Sequence, residues 1–172
     1  MRSRSTLFYL TLLSVTVLWL GCARVSAQTS PAGGSSEVPQ FKDYPAGELY
    51  KGATAPLVLA QKDQEFRGKL RAAAKSQKPN FAGHYILTTW GCGGGCVMGA
   101  VIDARTGKVY WWEFTVCCWP ETDDNFKPID FRADSRLIIF SGLRNEKEGD
   151  DGAHFYVFDN GQFKFLKTKT KN

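Results

Sequence analysis

The chain has 172 residues, of which 43% are hydrophobic and 13% aromatic, and its formal net charge is +5. This length and composition suit one compact domain with additional terminal segments. Three of the 22 basic residues, Arg2, Arg4 and Arg24, lie in an N-terminal leader, so the remainder carries only about +2. Such a small surplus does not support a basic surface for phosphate backbones, and no nucleic-acid partner is expected.

The leader, residues 1–27, has the pattern of a signal peptide. Arg2 and Arg4 form a positively charged start, and Leu7–Leu20 is an apolar or hydroxyl-bearing run too short to span a bilayer comfortably. Small residues at the end of the leader favour cleavage. We therefore expect an exported protein, periplasmic or secreted. The alternative is a lipoprotein anchored through an acylated Cys22, the one case in which membrane contact is expected.

The remainder divides by composition into a linker and a domain. Residues 28–40 are rich in Ser, Gly and Pro and have no apolar period, which is typical of a flexible linker. Residues 41–172 are expected to form a single disulfide-stabilised, β-rich domain. Within it, residues 41–59 predict an irregular arm that lies over the domain and docks through residues 57–59.

One helix and about six strands are predicted in this domain. An apolar stripe at helical spacing predicts a helix near 63–76 that packs on a sheet. The stripe consists of Phe66, Leu70, Ala73 and Ala74. Turn-forming residues such as Asp159-Asn160-Gly161 separate the β-forming runs that follow. The strands are drawn from seven such runs, residues 81–90, 96–103, 109–116, 129–131, 137–141, 154–158 and 162–166. The fold class is α+β and mostly β, an antiparallel meander whose hairpins resemble propeller blades.

Four cysteines follow the leader, and an even number in an oxidising compartment predicts disulfides. They are Cys92, Cys96, Cys117 and Cys118. Adjacent Cα atoms lie about 3.8 Å apart, below the usual disulfide range of about 4.4–6.8 Å, so a Cys117–Cys118 bond is disfavoured. Each of these two is therefore expected to pair with Cys92 or Cys96. The alternative pairing, Cys92 with Cys96, would leave the adjacent pair strained or reduced, and a strained disulfide is the redox-active kind.

Metal binding and catalysis by these side chains are less favoured. Cys92 and Cys96 have zinc-ligand spacing and His84 and His154 offer nitrogen ligands, but the other two cysteines are adjacent rather than spaced. No metal and no cofactor is therefore expected. Cys92 precedes His154 as nucleophile precedes base in some cysteine peptidases, yet no helix N-terminus follows Cys92 to activate its thiol. No catalytic residue is predicted.

The candidate binding residues are Trp111, Trp112, Trp119 and His84. Because Trp111 and Trp112 are consecutive, in a strand one of the two indole rings should face the core and the other should face outward. An exposed indole near Trp119 is suited to stacking on a sugar ring or on a partner's aromatic side chain. Two alternatives remain open: the helix or the arm covers that face, and His84 is a structural histidine.

Residues 66–110 contain the helix, the strand motif NFAGHY, the turn WGCG and the hairpin motif DxxTGxVY. In these motifs the chain resembles a group of small exported bacterial proteins of unassigned function. The resemblance implies export and the same helix-and-sheet architecture, and it transfers no catalytic residue. The adjacent pair Cys117-Cys118 has no counterpart in these motifs.

These features favour an exported non-enzymatic module that binds a cell-envelope component or a protein partner, for example as an inhibitor. The first alternative is a thiol-redox or metal-handling protein that uses the four cysteines. A cysteine hydrolase is the third possibility.

The leader generates a prediction for the exported protein. We expect cleavage after Ala27, because small residues after an apolar run are typical of a signal-peptide cleavage site, so the mature chain begins at Gln28. Measurement of the intact mass of the exported protein checks this. A mass that corresponds to a chain beginning at acylated Cys22 would contradict the cleavage and identify the lipoprotein.

Overall fold

The computed structural model describes residues 37–119 and 126–170. The predicted signal peptide, residues 1–27, and residues 28–36 of the predicted linker lie outside this part of the chain. The described residues contain one α-helix and eight β-strands, and none of their helices is long and apolar enough to cross a membrane. The helix is α1 (Arg67–Ser76), and one-turn 3-10 helices occupy Phe41–Asp43 and Gln61–Asp63. The strands are β1 (Tyr85–Gly93), β2 (Cys96–Asp103), β3 (Val109–Trp111), β4 (Val116–Cys117), β5 (Ile129–Phe131), β6 (Leu137–Arg144), β7 (Gly152–Asp159) and β8 (Gln162–Lys169).

The strands form one antiparallel sheet in the order β1-β2-β4-β6-β7-β8, in which β3 also pairs with β2 and β5 with β6. The prediction of an α+β, mostly β antiparallel fold is therefore confirmed. The predicted strand at 109–116 is instead two strands. The chain leaves the ladder with β2 after Trp111 and returns at Val116, which pairs with Val97.

The first half of the sheet, β1–β3, carries a hydrophobic cluster on each face. On one face, side chains of β1 and β2 pack against side chains of α1. This cluster includes Leu70, Ala73, Ile86, Ala100 and Ile102. Alternate residues of a strand point to the opposite face. There the same strands meet the second half of the sheet, in a cluster that includes Leu87, Val101, Ile138, Phe140 and Phe158. The sheet thus curls until its second half covers the inner face of the first, while α1 covers the outer face.

The helix begins at Arg67, four residues later than predicted. Asp63 explains the delay, because its carboxylate accepts the backbone N–H of Ala60 at 2.6 Å and the indole N–H of Trp111 at 2.8 Å. These bonds hold residues 61–63 in a 3-10 turn, and the first α-helical bond runs from Leu70 N–H to the Phe66 carbonyl. The predicted stripe is found on the buried face of α1, with Leu70 at its centre.

The arm at residues 41–59 lies on the domain, as predicted. Its backbone N–H groups donate to carbonyl oxygens of the turns that precede β1, join β2 to β3 and join β5 to β6; the pairs are Ala46 to Asp134, Tyr50 to Gly83, Ala55 to Ala104 and Val58 to Gly107, all at 2.8–2.9 Å. Leu57 and Leu59 pack into the cluster around α1, whereas the side chain of Val58 between them is exposed.

Two substitutions in α1 test how the helix is held. Leu70→Ala should lower the free energy of unfolding by about 2–5 kcal/mol, because a fully buried leucine is replaced by a cavity. Gly68→Ala should raise it by about 0.5–1 kcal/mol, because a methyl group there meets no atom within 4 Å and alanine favours the helix. Urea denaturation of the two variants and the wild type measures both effects. Unchanged stability of Leu70→Ala would show that α1 is not packed on the sheet, and Gly68→Ala is the control on the exposed face.

Candidate functional site

A groove of about 470 Å³ lies between β3 and the β7–β8 hairpin. One wall consists of six consecutive residues, Val109–Phe114, and the other of Tyr156 and Gly161–Phe163, with Lys62 completing the lining. Successive residues of β3 point to opposite faces, so a groove that all three line follows the edge of the strand rather than one face. Beyond the strand, the chain bends at Glu113 and Phe114, which complete this wall. Within the described residues, β2 is the only strand that pairs with β3. The second edge of β3 meets one isolated bridge, between Val58 of the arm and Lys108, at its start and is otherwise unpaired. We call this feature the edge groove.

The two walls run side by side in the same direction. The ring of Tyr110 lies against Gly161, at the place where a side chain on that glycine would stand. Two residues further along each wall, Trp112 meets Phe163 edge-to-face, with ring centroids 5.8 Å apart. Contact between aromatic rings therefore takes the place of backbone hydrogen bonds across this seam.

A charged network supports the far wall. Arg144 donates from Nη1 to the hydroxyl of Tyr156 and from Nε and Nη2 to the two carboxylate oxygens of Asp150, at 2.8 Å each. The hydrogen bonds from Arg144 lower the pKa of Asp150, so the carboxylate remains charged at neutral pH. Tyr156 is thereby fixed opposite Phe114, with ring centroids 5.4 Å apart.

Trp111 and Trp112 both line the edge groove, and both rings also pack against other parts of the domain. Trp112 faces the inner cluster, is 3% exposed, and its ring covers Gly99 so closely that a side chain there would overlap it. Trp111 faces the α1 side, where its ring packs on Phe66 and Trp90 at centroid distances of 5.2 and 5.7 Å. The observed packing matches the alternative in which the helix side covers this face.

Trp119 and His84 do not line the edge groove. Trp119 is half-buried against the inner cluster. His84 stacks on Tyr85 with ring centroids 4.0 Å apart, and its Nε2 lies 3.9 Å from a carboxylate oxygen of Asp103. Burial lowers the pKa of His84, as does Arg105, while Asp103 partly opposes the shift. The imidazole is therefore neutral at pH 7 and packs as a half-buried ring.

The cysteines form two local disulfides, Cys92–Cys96 and Cys117–Cys118. The expected pairing of each of the first two with one of the last two is wrong. The β1–β2 turn brings the Cα atoms of Cys92 and Cys96 to 5.3 Å, within the usual disulfide range. Cys118 has a left-handed backbone with φ of 58°, so the chain leaves the extended strand in which adjacent side chains point to opposite faces. This conformation lets the adjacent cysteines bond.

His154, the candidate catalytic base, has a structural role. His154 is fully buried, with Nδ1 2.8 Å from the hydroxyl of Thr168 and Nε2 2.9 Å from the carbonyl oxygen of Gly142. Both ring nitrogens are engaged and Cys92 is in a disulfide, so a nucleophile–base pair is not assembled. In the part of the chain that the structure describes, no three His, Cys, Asp or Glu side chains are close enough to hold a metal ion.

Several lining residues of the edge groove did not stand out in the sequence. They are Lys62, Tyr110, Phe114, Tyr156, Gln162 and Phe163. One signal was present: the run YWWEF at residues 110–114 has aromatic side chains at four of five consecutive positions. That pattern departs from the alternation expected of a half-buried strand.

Comparison with known proteins assigns no function to this geometry. No protein-family model matches the chain, and neither the curated proteins nor the solved structures gave a match.

Asp63 and Asp43 provide a matched test of the bond that ties the segment before α1 to the groove wall. Each accepts the backbone N–H of the residue three positions earlier, but only the buried Asp63 also accepts the indole N–H of Trp111. Asp63→Ala should lower the free energy of unfolding by about 1–3 kcal/mol, because two donors lose their partner where little water reaches them. Asp43→Ala, at an exposed turn, should cost about 0.5–1 kcal/mol. Equal losses in denaturant unfolding would show that the indole bond contributes nothing.

Proposed function

We propose that the protein is a non-enzymatic binding module that holds an extended peptide segment of a protein partner in the edge groove. The observation that carries this proposal is that β3 and the residues that follow it to Phe114 line one wall, and that no strand of the described chain pairs with the second edge of β3, which meets only the bridge between Val58 and Lys108 at its start. An unpaired strand edge presents a row of backbone N–H and C=O groups. An extended peptide satisfies such a row by adding a strand, which is a common mode of peptide recognition.

The chemistry of the lining favours a peptide over a sugar. Sugar rings stack on open, flat aromatic faces, whereas Trp112 is buried and the ring of Trp111 contacts those of Phe66 and Trp90. An extended peptide instead directs every second side chain into the groove, where aromatic walls suit apolar side chains. Glu113 and Lys62 add one charge of each sign, which can orient polar groups of the bound segment.

We further propose that the partner is an exported or cell-envelope protein. The two disulfides support residence in an oxidising compartment, and the leader at residues 1–27 has the pattern of a signal peptide. A partner whose exposed segment is covered in this way loses access to other proteins, so inhibition is the role that fits. Membrane attachment is proposed only for a form acylated at Cys22.

Selection from a random displayed peptide library on the purified, oxidised protein supplies the probe that tests this function. We expect a selected peptide to shift the backbone amide resonances of residues 109–114 and 161–163. N-methylation of every second peptide residue removes the N–H groups on one edge and should abolish binding in only one of the two registers, because an added strand uses one edge toward β3. Equal effects of both registers would contradict strand addition.

A matched pair of charge reversals locates the site. Glu113→Arg, in the groove and on the same lining as Lys62, should weaken peptide binding by about tenfold or more, corresponding to about 1.4 kcal/mol. Glu48→Arg, at an exposed position outside the groove, makes the same change in charge and should leave the affinity unchanged. Equal loss in both variants would show a non-specific electrostatic effect, and no loss in either would place binding elsewhere.

A further inference from the structure

We infer that the two disulfides form a thiol–disulfide exchange relay, in which Cys96 bonds to Cys117 once an external thiol opens the Cys117–Cys118 bond. The relay is independent of the proposed peptide binding, because none of the four cysteines lines the edge groove.

The register between β2 and β4 brings the two disulfides together. Val97 pairs with Val116 in an antiparallel ladder, so the next opposing positions are Cys96 and Cys117. Opposing residues of such a ladder share a face, with Cα atoms about 4.5–5.5 Å apart, and this distance suits a disulfide. Val97 and Val116 both pack into the inner cluster, which places Cys96 and Cys117 together on the opposite face. Both cysteines are buried, at 7% and 1% exposure.

The adjacent pair is the place where the relay begins. Cys118 is exposed while Cys117 is buried, so an external thiolate reaches the Cys118 sulfur first and Cys117 becomes the leaving group. The Cα atoms of the pair are 3.8 Å apart, outside the usual range, and such departures make a disulfide more reducible. Cys118 also has the left-handed backbone that non-glycine residues adopt mainly where the surrounding structure imposes it, often at functional sites.

The exchange balances in three steps. An external thiolate attacks the sulfur of Cys118, a mixed disulfide forms there, and Cys117 leaves as a thiolate. The Cys117 thiolate then attacks the sulfur of Cys96; the Cys96–Cys117 bond forms, the Cys92–Cys96 bond breaks, and Cys92 takes up a proton. A second external thiol displaces the first from Cys118. Two thiols become one external disulfide, and the protein keeps one cross-strand disulfide and two thiols, at Cys92 and Cys118.

The substrate class that follows is a thiol or dithiol in the oxidising compartment, from which the protein accepts two electrons. The reduced protein has a distinctive pattern of thiols, because the two exposed cysteines, Cys92 and Cys118, end as thiols. Reoxidation by a disulfide-donating partner would reverse the same steps.

Limited treatment of the native, purified protein with reduced glutathione tests the relay. After acid quenching, alkylation with N-ethylmaleimide and digestion with trypsin, each native disulfide lies within one peptide, residues 76–105 or residues 109–132. We expect the early product to link these two peptides through Cys96 and Cys117, with the alkyl group on Cys92 and Cys118. Early products that contain only the two local disulfides, or one of them, would overturn the relay.

Two single substitutions test the same step without a reductant. In Cys92→Ser, the freed Cys96 should take Cys117 from its neighbour, so that the free thiol appears on Cys118. In Cys96→Ser, the control, the free thiol should stay on Cys92 and the Cys117–Cys118 bond should persist. Circular dichroism verifies that both variants fold. An intact Cys117–Cys118 bond in both folded variants would overturn the proposal, and if Cys92→Ser does not fold, the glutathione experiment on the wild type decides.

Discussion

The two-residue strand β4 joins the two halves of the sheet. Val116 pairs with Val97 in β2 on one side and with Arg144 in β6 on the other, and Cys117 extends the second ladder to Leu143. Within the described residues, the sheet has no other ladder between β1–β3 and β5–β8. The inner cluster is built from both halves, so its burial depends on this short connection. The disulfide between Cys117 and Cys118 constrains the chain at the point where β4 ends.

Where β3 meets the β7–β8 hairpin, side-chain contacts rather than backbone hydrogen bonds hold the two parts of the sheet together. Neighbouring strands that share hydrogen bonds lie about 4.7–4.9 Å apart, and aromatic rings that stand between two strands prevent that approach. The contacts of Tyr110 with Gly161 and of Trp112 with Phe163 hold the β7–β8 hairpin away from β3 in this way. The edge groove is the space that remains beside β3. Because the ring contacts keep β8 away, β8 does not pair with the second edge of β3. Lysines along β8, such as Lys164 and Lys169, are typical of an edge strand kept from pairing with other chains.

Local patterns in the sequence predicted most of the fold, because helix stripes and hairpin turns depend on neighbouring residues. The stripe around Leu70 and the turn at Asn160-Gly161 are found as predicted. The start of α1 was predicted wrongly because it depends on the bond from Trp111 to Asp63, which joins residues 48 positions apart. The disulfide pairing was predicted wrongly because an extended backbone was assumed at Cys118. The edge groove was not predicted, since its walls come from β3 and from a hairpin far along the chain.

The wall of the edge groove and the disulfide between Cys117 and Cys118 lie on one continuous segment. Between them, Thr115 and Asn145 form two hydrogen bonds, which we call the clamp. The N–H of Thr115 donates to the side-chain oxygen of Asn145, and the N–H of Asn145 donates to the carbonyl of Thr115, both at 2.9 Å. The lining residues 109–114 end just before this clamp, and the ladder of β4 begins just after it. Asn145 reaches the position through a left-handed backbone, which asparagine tolerates better than most residues. Two sites are coupled only if a shared element changes its arrangement between their states. Because the N–H and the C=O of Thr115 are both held by Asn145, we expect a change of disulfide partner beyond Thr115 to leave the groove wall in place. The proposed binding and the proposed exchange would then be separate properties of the molecule.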